Sequence, residues 1–216
     1  LGKEFASKRT SLLVWTTTPW TLLANVAVAV HPHYTYLCVD IGEEILILEK
    51  TLSQKVLSKA SIADFKVLKE CAGRELTKLF YIHPFGLRLH CPVVDVDYVT
   101  KEDGTGLVHT APGHGQEDFE TGLKFKLDVV VPVDHRGIFT DEAREFANLR
   151  VFDANEKIIL ALQDKGILFC REDLEHSYPH CWRCKKPIIF RATKQWFVNI
   201  DHQALRRELL DAIEKK

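Results

Sequence analysis

The amino-acid sequence predicts a β-rich α+β domain, organised as a barrel-like sheet with helices packed around it. Three observations carry that expectation. Strand-like runs outnumber helical ones, and the helical runs do not alternate with strands as a doubly wound parallel sheet requires. The chain also has 216 residues of which 46% are hydrophobic, enough to bury the core of one large domain or of one domain with an appendage.

The elements follow in order. Ser11 to Trp15, Val26 to Val30, Tyr36 to Ile41 and Ile45 to Leu48 are short runs of Val, Ile, Leu and aromatics bounded by Pro, Gly and charged residues, the signature of strands. Gly42 and Glu43 are expected to turn a hairpin between the third and fourth. Thr51 to Lys59 carries Leu52, Val56 and Leu57 at helical spacing, with Thr51 or Ser53 as candidate caps. Phe65 to Leu68, Leu87 to Val96 and Gly106 to Thr110 read as further strands, Gln116 to Phe125 and Asp153 to Lys165 as amphipathic helices, the latter stopped by Gly166. From His176 the character changes to a basic, loop-like stretch, then strand-like runs at Ile188 to Arg191 and Gln195 to Ile200. Gln203 to Lys216 reads as a helix whose Leu205, Leu209, Leu210 and Ile213 form an apolar stripe with little later chain to cover it. The boundary expected is 1–175 for the main domain and 176–216 for a separate segment.

Composition removes several function classes. No run approaches the roughly 20 apolar residues of a bilayer span, and the first ten residues lack a secretory core, so no membrane and a cytoplasmic location are expected. Cys38, Cys71, Cys91, Cys170, Cys181 and Cys184 are mostly scattered, unlike a disulfide framework, which points to a reducing compartment. The formal net charge of -1 gives no overall basic footprint, so any nucleic-acid contact must be local.

Two polar loops stand out. Trp15-Thr16-Thr17-Thr18-Pro19-Trp20-Thr21 sets three hydroxyls after a strand, before a proline that keeps Thr18 out of a helix; such a loop can present hydroxyls and N–H groups to a ligand, although threonines also simply suit strand ends. In Gly104-Thr-Gly-Leu-Val-His109-Thr-Ala-Pro-Gly113-His114-Gly115-Gln-Glu117-Asp118 a strand runs through glycines into an acidic helix start. Two imidazoles and two carboxylates there suit metal binding, acid–base work or capture of an ammonium group, while the bland alternative is that the acids complement the helix dipole. There is no GxSxG elbow, no phosphate-binding Walker loop and no HExxH spacing, so a metal-free site ranks above a serine or zinc hydrolase.

Taken together, Trp15 to Asn25, the run GTGLVHTAPGHGQEDF from Gly104 to Phe119, and His176 to Phe197 closely resemble, in order, the inserted region of isoleucyl-tRNA synthetases, class I aminoacyl-tRNA synthetases. The related valyl and leucyl enzymes typically carry an arginine where Thr18 stands and an acidic residue in place of Trp20. The ATP-binding signatures of the family are absent from the chain, so ATP belongs to a catalytic domain outside it.

The resemblance implies an editing domain that hydrolyses valine from mischarged isoleucine tRNA and contributes to clearing valyl-adenylate, acting as a monomer joined to the rest of the synthetase and needing no cofactor for editing. It implies that Asp118 pairs with the substrate's α-ammonium and that His109 lines the side-chain pocket, where its bulk rejects isoleucine. Thr16, Thr17, Thr18 and Asn25 match a polar wall for the terminal adenosine or the aminoacyl group, Thr17 and Thr18 as candidate holders of the attacking water. Trp20, Thr21 and His114 complete the expected substrate-binding set. Cys181 and Cys184 form a CxxC of the zinc-knuckle kind, half of a four-cysteine site whose other pair the resemblance puts earlier in the parent enzyme, so this half is expected to be metal-free alone. Arg183, Lys185, Lys186, Arg191 and Lys194 are a candidate local contact for the RNA backbone, or a solvated face.

Overall fold

The computed structural model describes residues 5, 7–175 and 177–215; the expected boundary residue His176 and the last residue Lys216 lie outside them. Eight strands run β1 Arg9–Leu12, β2 Ala27–Val30, β3 Thr35–Asp40, β4 Glu44–Glu49, β5 Lys66–Ala72, β6 Phe80–Tyr81, β7 Cys91–Asp95 and β8 Leu107–Thr110. The α-helices are α1 Lys50–Lys59, α2 Gly73–Leu76, α3 Gln116–Phe125, α4 Val151–Asp164 and α5 Leu205–Glu214, with short 3-10 helices at Pro19–Ala24, Asp141–Phe146 and His202–Ala204.

The strands form two mixed four-stranded sheets, ordered β1-β4-β3-β5 and β6-β7-β2-β8. The chain leaving β1 joins them. Leu13 donates its N–H to the Ile47 carbonyl on β4 at 3.0 Å, and two residues later Trp15 donates to the Leu107 carbonyl on β8 at 3.4 Å and bridges Val108. One extended segment thus passes from the first sheet to the second and curves them into a single layer. The outer strands β5 and β6 do not pair with each other, so the layer stays open rather than closing as a barrel. The strands are short, and helices account for more of the chain; it is the larger core that is β-built.

Alternation along β2 shows how the sequence builds this. Val28 and Val30 face the larger core with Leu37, Val39, Ile45 and Ile47, whereas Ala27 and Ala29 face a smaller cluster with Val94, Val96 and Phe125 of α3. Both faces are covered, so all four residues are buried. A third cluster packs Trp20, Leu22 and Leu23 of the first 3-10 helix against Phe139, Phe146 and the buried stripe Val151, Ala154, Ile158 and Leu162 of α4. The segment between the first and third cores carries the threonine loop.

Most expected elements occur within a residue or two of their predicted ends, Gln116–Phe125 at both. The differences have local causes. Pro19 at the first helical position, with Thr21 N–H bonded to the Thr18 carbonyl, winds Pro19–Ala24 into a 3-10 turn where only a loop was expected. Helix α1 is capped not by Thr51 or Ser53 but by the buried Glu49 carboxylate, which accepts from the N–H groups of Thr51 at 2.6 Å and Leu52 at 3.0 Å. Leu87 to Val96 shrinks to β7, because its first half bends back as the β6–β7 turn. Ile188 to Arg191 and Gln195 to Ile200 are not strands; apart from the His180–Pro187 bridge this stretch finds no neighbouring strand. The apolar stripe of α5 is uncovered, with Ile213 70% exposed. Among the described residues no helix is long and apolar enough to cross a membrane.

Candidate active site

The threonine loop, the β8–α3 loop and the segment 177–190 enclose a cleft of about 390 Å³. From the first loop and the 3-10 helix after it come Trp15, Thr16, Thr17, Thr18, Trp20 and Thr21; from β8, the loop after it and the first turn of α3 come Val108, His109, Ala111, His114 and Asp118; from the third segment come Ser177, Tyr178, Pro179 and Phe190. A second cavity of about 320 Å³ shares Thr17, Thr18, Trp20 and Tyr178 with it and is completed by Phe152, Asn155, His180 and Pro187.

The register of β8 decides which way His109 faces. Leu107 points into the larger core, so His109, two residues on, shares that face, paired across from Val28. Its Nε2 lies 3.1 Å from Thr21 Oγ1. Thr21 donates its only hydroxyl proton to the Thr18 carbonyl at 2.8 Å, so it accepts from His109, which places the imidazole proton on Nε2 and a lone pair on Nδ1. Burial, and to a smaller degree His83 and His114, pushes the His109 pKa down to about 4, so the ring is neutral at physiological pH. Its Nδ1 is buried and has no hydrogen-bond partner among the described residues.

His114 sits at the loop's far side. Its Nδ1–H donates to the Phe190 carbonyl at 2.9 Å, its ring meets Trp20 edge-on at 4.8 Å, and burial holds its pKa below the usual value. His114 Nε2 and the Trp20 indole N–H are also buried without a partner among the described residues. Each such group costs roughly 1–3 kcal/mol until a ligand or water satisfies it. Trp20 is 3% exposed, lies against Phe139, and donates its backbone N–H to Asn155 Oδ1 of α4 at 3.0 Å.

Asp118 stands in the first turn of α3, where Gly115 begins the helix without a side-chain cap. Its Oδ2 reaches back to accept the Ala111 N–H at 2.9 Å, and Oδ1 makes no hydrogen bond among the described residues. Burial raises the carboxyl pKa, the Ala111 N–H counteracts, and Glu117 adds to the rise. A half-buried carboxylate with one free oxygen beside an uncharged histidine suits an ammonium ligand.

Of the residues read from sequence, Thr16, Thr17, Thr18, Trp20, Thr21, His109, His114 and Asp118 are gathered on the cleft; Asn25 is not. It is 2% exposed, donates Nδ2–H to the Ala27 carbonyl at 2.8 Å and accepts the Tyr81 hydroxyl on Oδ1, so its amide is spent inside the fold. Tyr178 and Phe190 also wall the cleft and are not marked by sequence pattern: both lie in the stretch His176 to Phe197, whose clearest signal is the metal-type CxxC of Cys181 and Cys184. Those cysteines flank a turn in which Cys181 N–H bonds Lys186 O at 2.8 Å and Lys185 N–H bonds Cys181 O at 2.9 Å, and the N–H groups of Cys184 and Arg183 hold the Cys181 thiol below its usual range. Two soft donors fit half of a tetrahedral zinc shell, and among the described residues no third His, Cys, Asp or Glu joins them. Of the basic residues, Arg191 spends its Nε–H on the Val133 carbonyl at 2.7 Å, and Arg183 stacks over Trp182.

The cleft thus joins a neutral histidine, a threonine loop and a half-buried carboxylate on an open mixed sheet, and the class of protein is that of the aminoacyl-tRNA synthetase editing domains. The fold agrees: the crystal structure of GlLeuRS-CP1 superposes with a TM-score of 0.60 at 16% identity, covering 76% of this chain and 85% of that one. A P. falciparum cytosolic leucyl-tRNA synthetase editing domain gives 0.51 at 15%, covering 73% and 67%. In sequence, residues 3–159 match the family of the leucyl-tRNA synthetase editing domain. Isoleucine--tRNA ligases of Fervidobacterium pennivorans and Petrotoga mobilis are 49% and 48% identical over 206 residues, 95% of this chain and 22% of each relative. The chain belongs to this editing-domain family, in its isoleucyl-tRNA synthetase branch. It spans about a fifth of the length of the curated relatives it matches.

Proposed function

We propose that the chain is the proofreading hydrolase of an isoleucine--tRNA ligase, cleaving the ester of valine on isoleucine tRNA and helping to clear valyl-adenylate. The observation that carries this reading is the convergence of His109, Thr21, the Thr16–Thr18 loop and Asp118 on one cleft. The need is physical. A synthetic site shaped for isoleucine rejects valine, one methylene smaller, by only about 1–3 kcal/mol, a limit long recognised for isoleucyl-tRNA synthetases themselves. A second site that admits valine and excludes isoleucine by size removes the error.

Asp118 Oδ1 pairs with the α-ammonium of the aminoacyl group, fixing it in the cleft. His109, neutral and held by Thr21, presents a rigid ring to the substrate side chain and clashes with the extra methyl of isoleucine. The Thr17 and Thr18 hydroxyls, 3.4 Å apart at the mouth shared by both cavities, orient the attacking water. Water adds to the ester carbonyl, the neighbouring ribose hydroxyl assists the departing oxygen, and valine and the free tRNA end are released. No covalent enzyme intermediate forms; catalysis is positioning and electrostatic stabilisation. Residues 1–175 supply both loops, and residues 177–190 of the later segment close the cleft.

The working protein is the parent ligase in the cytoplasm, monomeric, with ATP used only in its synthetic domain. Zinc bound through Cys181, Cys184 and a second pair outside this chain would fix the knuckle there. Deacylation of mischarged tRNA tests the reading. The chain should release valine from isoleucine tRNA and leave isoleucine in place; Asp118→Ala should lose most of that activity, and His109→Ala should begin to release isoleucine. A preference for threonine on valine tRNA would overturn valine as the substrate, and no cleavage of any ester would reduce the chain to a tRNA-docking module.

A further inference from the structure

The 3-10 helix that carries Trp20 and Thr21 is held from behind by a turn that does not line the cleft. We infer that Tyr81, the last residue of β6, and His83 and Arg88, in the β6–β7 connection, are positioning residues that set the protonation pattern of His109 through Asn25, Leu22 and Thr21. His83 Nε2–H donates to the Leu22 carbonyl at 2.8 Å. Arg88 donates to the Asn25 carbonyl at 2.9 Å, and the Tyr81 hydroxyl donates to Asn25 Oδ1. Asn25 in turn caps the 3-10 helix, its N–H bonded to Leu22 O at 3.1 Å, and ties it to β2 through Ala27. Five hydrogen bonds thus fix the last turn of the helix, within one to four residues of Thr21.

The turn is itself braced, so it can serve as a reference surface. His83 N–H bonds Arg88 O at 2.9 Å, Gly86 N–H bonds His83 O at 2.7 Å with Gly86 at φ +64°, and Phe85 N–H bonds His83 Nδ1 at 3.0 Å. Phe85 packs edge-on against Phe146 at 5.3 Å, anchoring the turn to the α4 core. His83 uses both ring nitrogens in this way, which makes it a spacer and not a proton carrier. If the helix rotates or slides by a few tenths of an ångström, Thr21 Oγ1 loses either the Thr18 carbonyl or His109 Nε2. The hydroxyl then has a proton to give the imidazole, and His109 is free to move its own proton to Nδ1. The positioning therefore reaches the site as a choice between tautomers, which a general loss of stability does not alter.

The test uses the 216-residue chain, with long-range 1H–15N spectra of the histidines at pH 7.5 and deacylation of valyl-tRNA. Wild type should show His109 as one tautomer, protonated on Nε2. Arg88→Ala should give a mixture of tautomers and a fall in kcat/KM of about tenfold, the scale of one misplaced hydrogen bond, carried in kcat more than in KM. Arg88→Lys, which can still donate to Asn25 O, should restore a single tautomer and most of the rate. Tyr81→Phe removes one hydroxyl and should show the same change in smaller measure, even if Arg88→Ala fails to fold. A single unchanged tautomer in folded Arg88→Ala or Tyr81→Phe would overturn the inference. The rate arm rests on the hydrolase reading above; the spectra do not, so a chain that cleaves nothing yet shows the tautomer shift would sink that reading and keep this one.

Discussion

Thr21 Oγ1 accepts a 3.1 Å hydrogen bond from His109 Nε2 while giving its own proton to the Thr18 carbonyl, so one threonine decides the tautomer of a buried histidine on the cleft. Thr21→Val keeps the shape and removes the acceptor. It leaves an N–H buried without a partner, which costs roughly 1–3 kcal/mol. Urea unfolding should show that loss. Released from its fixed orientation, the ring should also reject isoleucine less well, so the ratio of valyl- to isoleucyl-tRNA cleavage should fall; an unchanged ratio would detach Thr21 from selectivity.

Asp118 has one oxygen engaged by Ala111 N–H and one left for a ligand. Asp118→Asn preserves size and the Ala111 contact through the amide oxygen but removes the charge that pairs with an ammonium group. A charge-assisted hydrogen bond contributes roughly 1.5–3 kcal/mol, so kcat/KM for valyl-tRNA should drop about tenfold to a hundredfold. An ester of the des-amino acid, which has no ammonium to anchor, should be cleaved equally by both proteins. Sensitivity of that ester to the substitution would mean that Asp118 acts on the water or the leaving group instead.

The residues that were legible in the sequence share a property: their local pattern and their role coincide. Val26 to Val30 reads as a strand and is one, buried on both faces, and the glycines between Gly104 and Gly115 mark a loop that does bring His109, His114 and Asp118 together. Asn25 misled because its neighbours on the threonine loop line the cleft, whereas its own amide turns inward to Tyr81 and Ala27. Tyr178 and Phe190 were not readable as walls, since they are some 70 to 80 residues beyond His109 in the chain and join the cleft only through the tertiary fold, as His114 does with Phe190 O at 2.9 Å. The same stretch has strand-like composition, but strand formation needs a partner edge, and none is offered there.

Buried neutral histidines make stability depend on pH in a stated direction. Burial lowers His83 and His109 to about 4, below the usual 6.5. Between those values the unfolded chain binds protons that the folded chain refuses, so the stability is fully present above about pH 6.5 and is lost as pH falls toward 4. Asp118, raised by burial, works the opposite way and offsets part of the loss. Unfolding at pH 5 should require less urea than at pH 7, by on the order of 1–2 kcal/mol per histidine. His83→Gln retains a donor for Leu22 O and an acceptor for Phe85 N–H without titrating, so its stability should fall less steeply; an identical slope would assign the dependence to other groups.

Gly113 shows how closely the site loop is packed on the neighbouring chain. A Cβ there would lie 2.2 Å from the Val130 carbonyl oxygen and 2.8 Å from Val131 Cγ2, and backbone cannot swing aside as a side chain can. Gly113 O also accepts the Ala192 N–H at 2.8 Å, so a displaced residue 113 pulls on the segment bearing Phe190 as well as on His114. Gly113→Ala should therefore destabilise the protein by about 1–3 kcal/mol, the range for overpacking, and cut deacylation beyond what partial unfolding explains, because both walls of the cleft move. Gly115→Ala is the matched comparison: its Cβ would meet Asp118 at an ordinary 3.4 Å, and the loss should stay within about 1 kcal/mol, the scale of a helix-cap change. Thermal melts and kcat/KM of the two variants separate the cases. Equal effects would show that the loop tolerates displacement at 113 and that the cleft walls are not coupled through it.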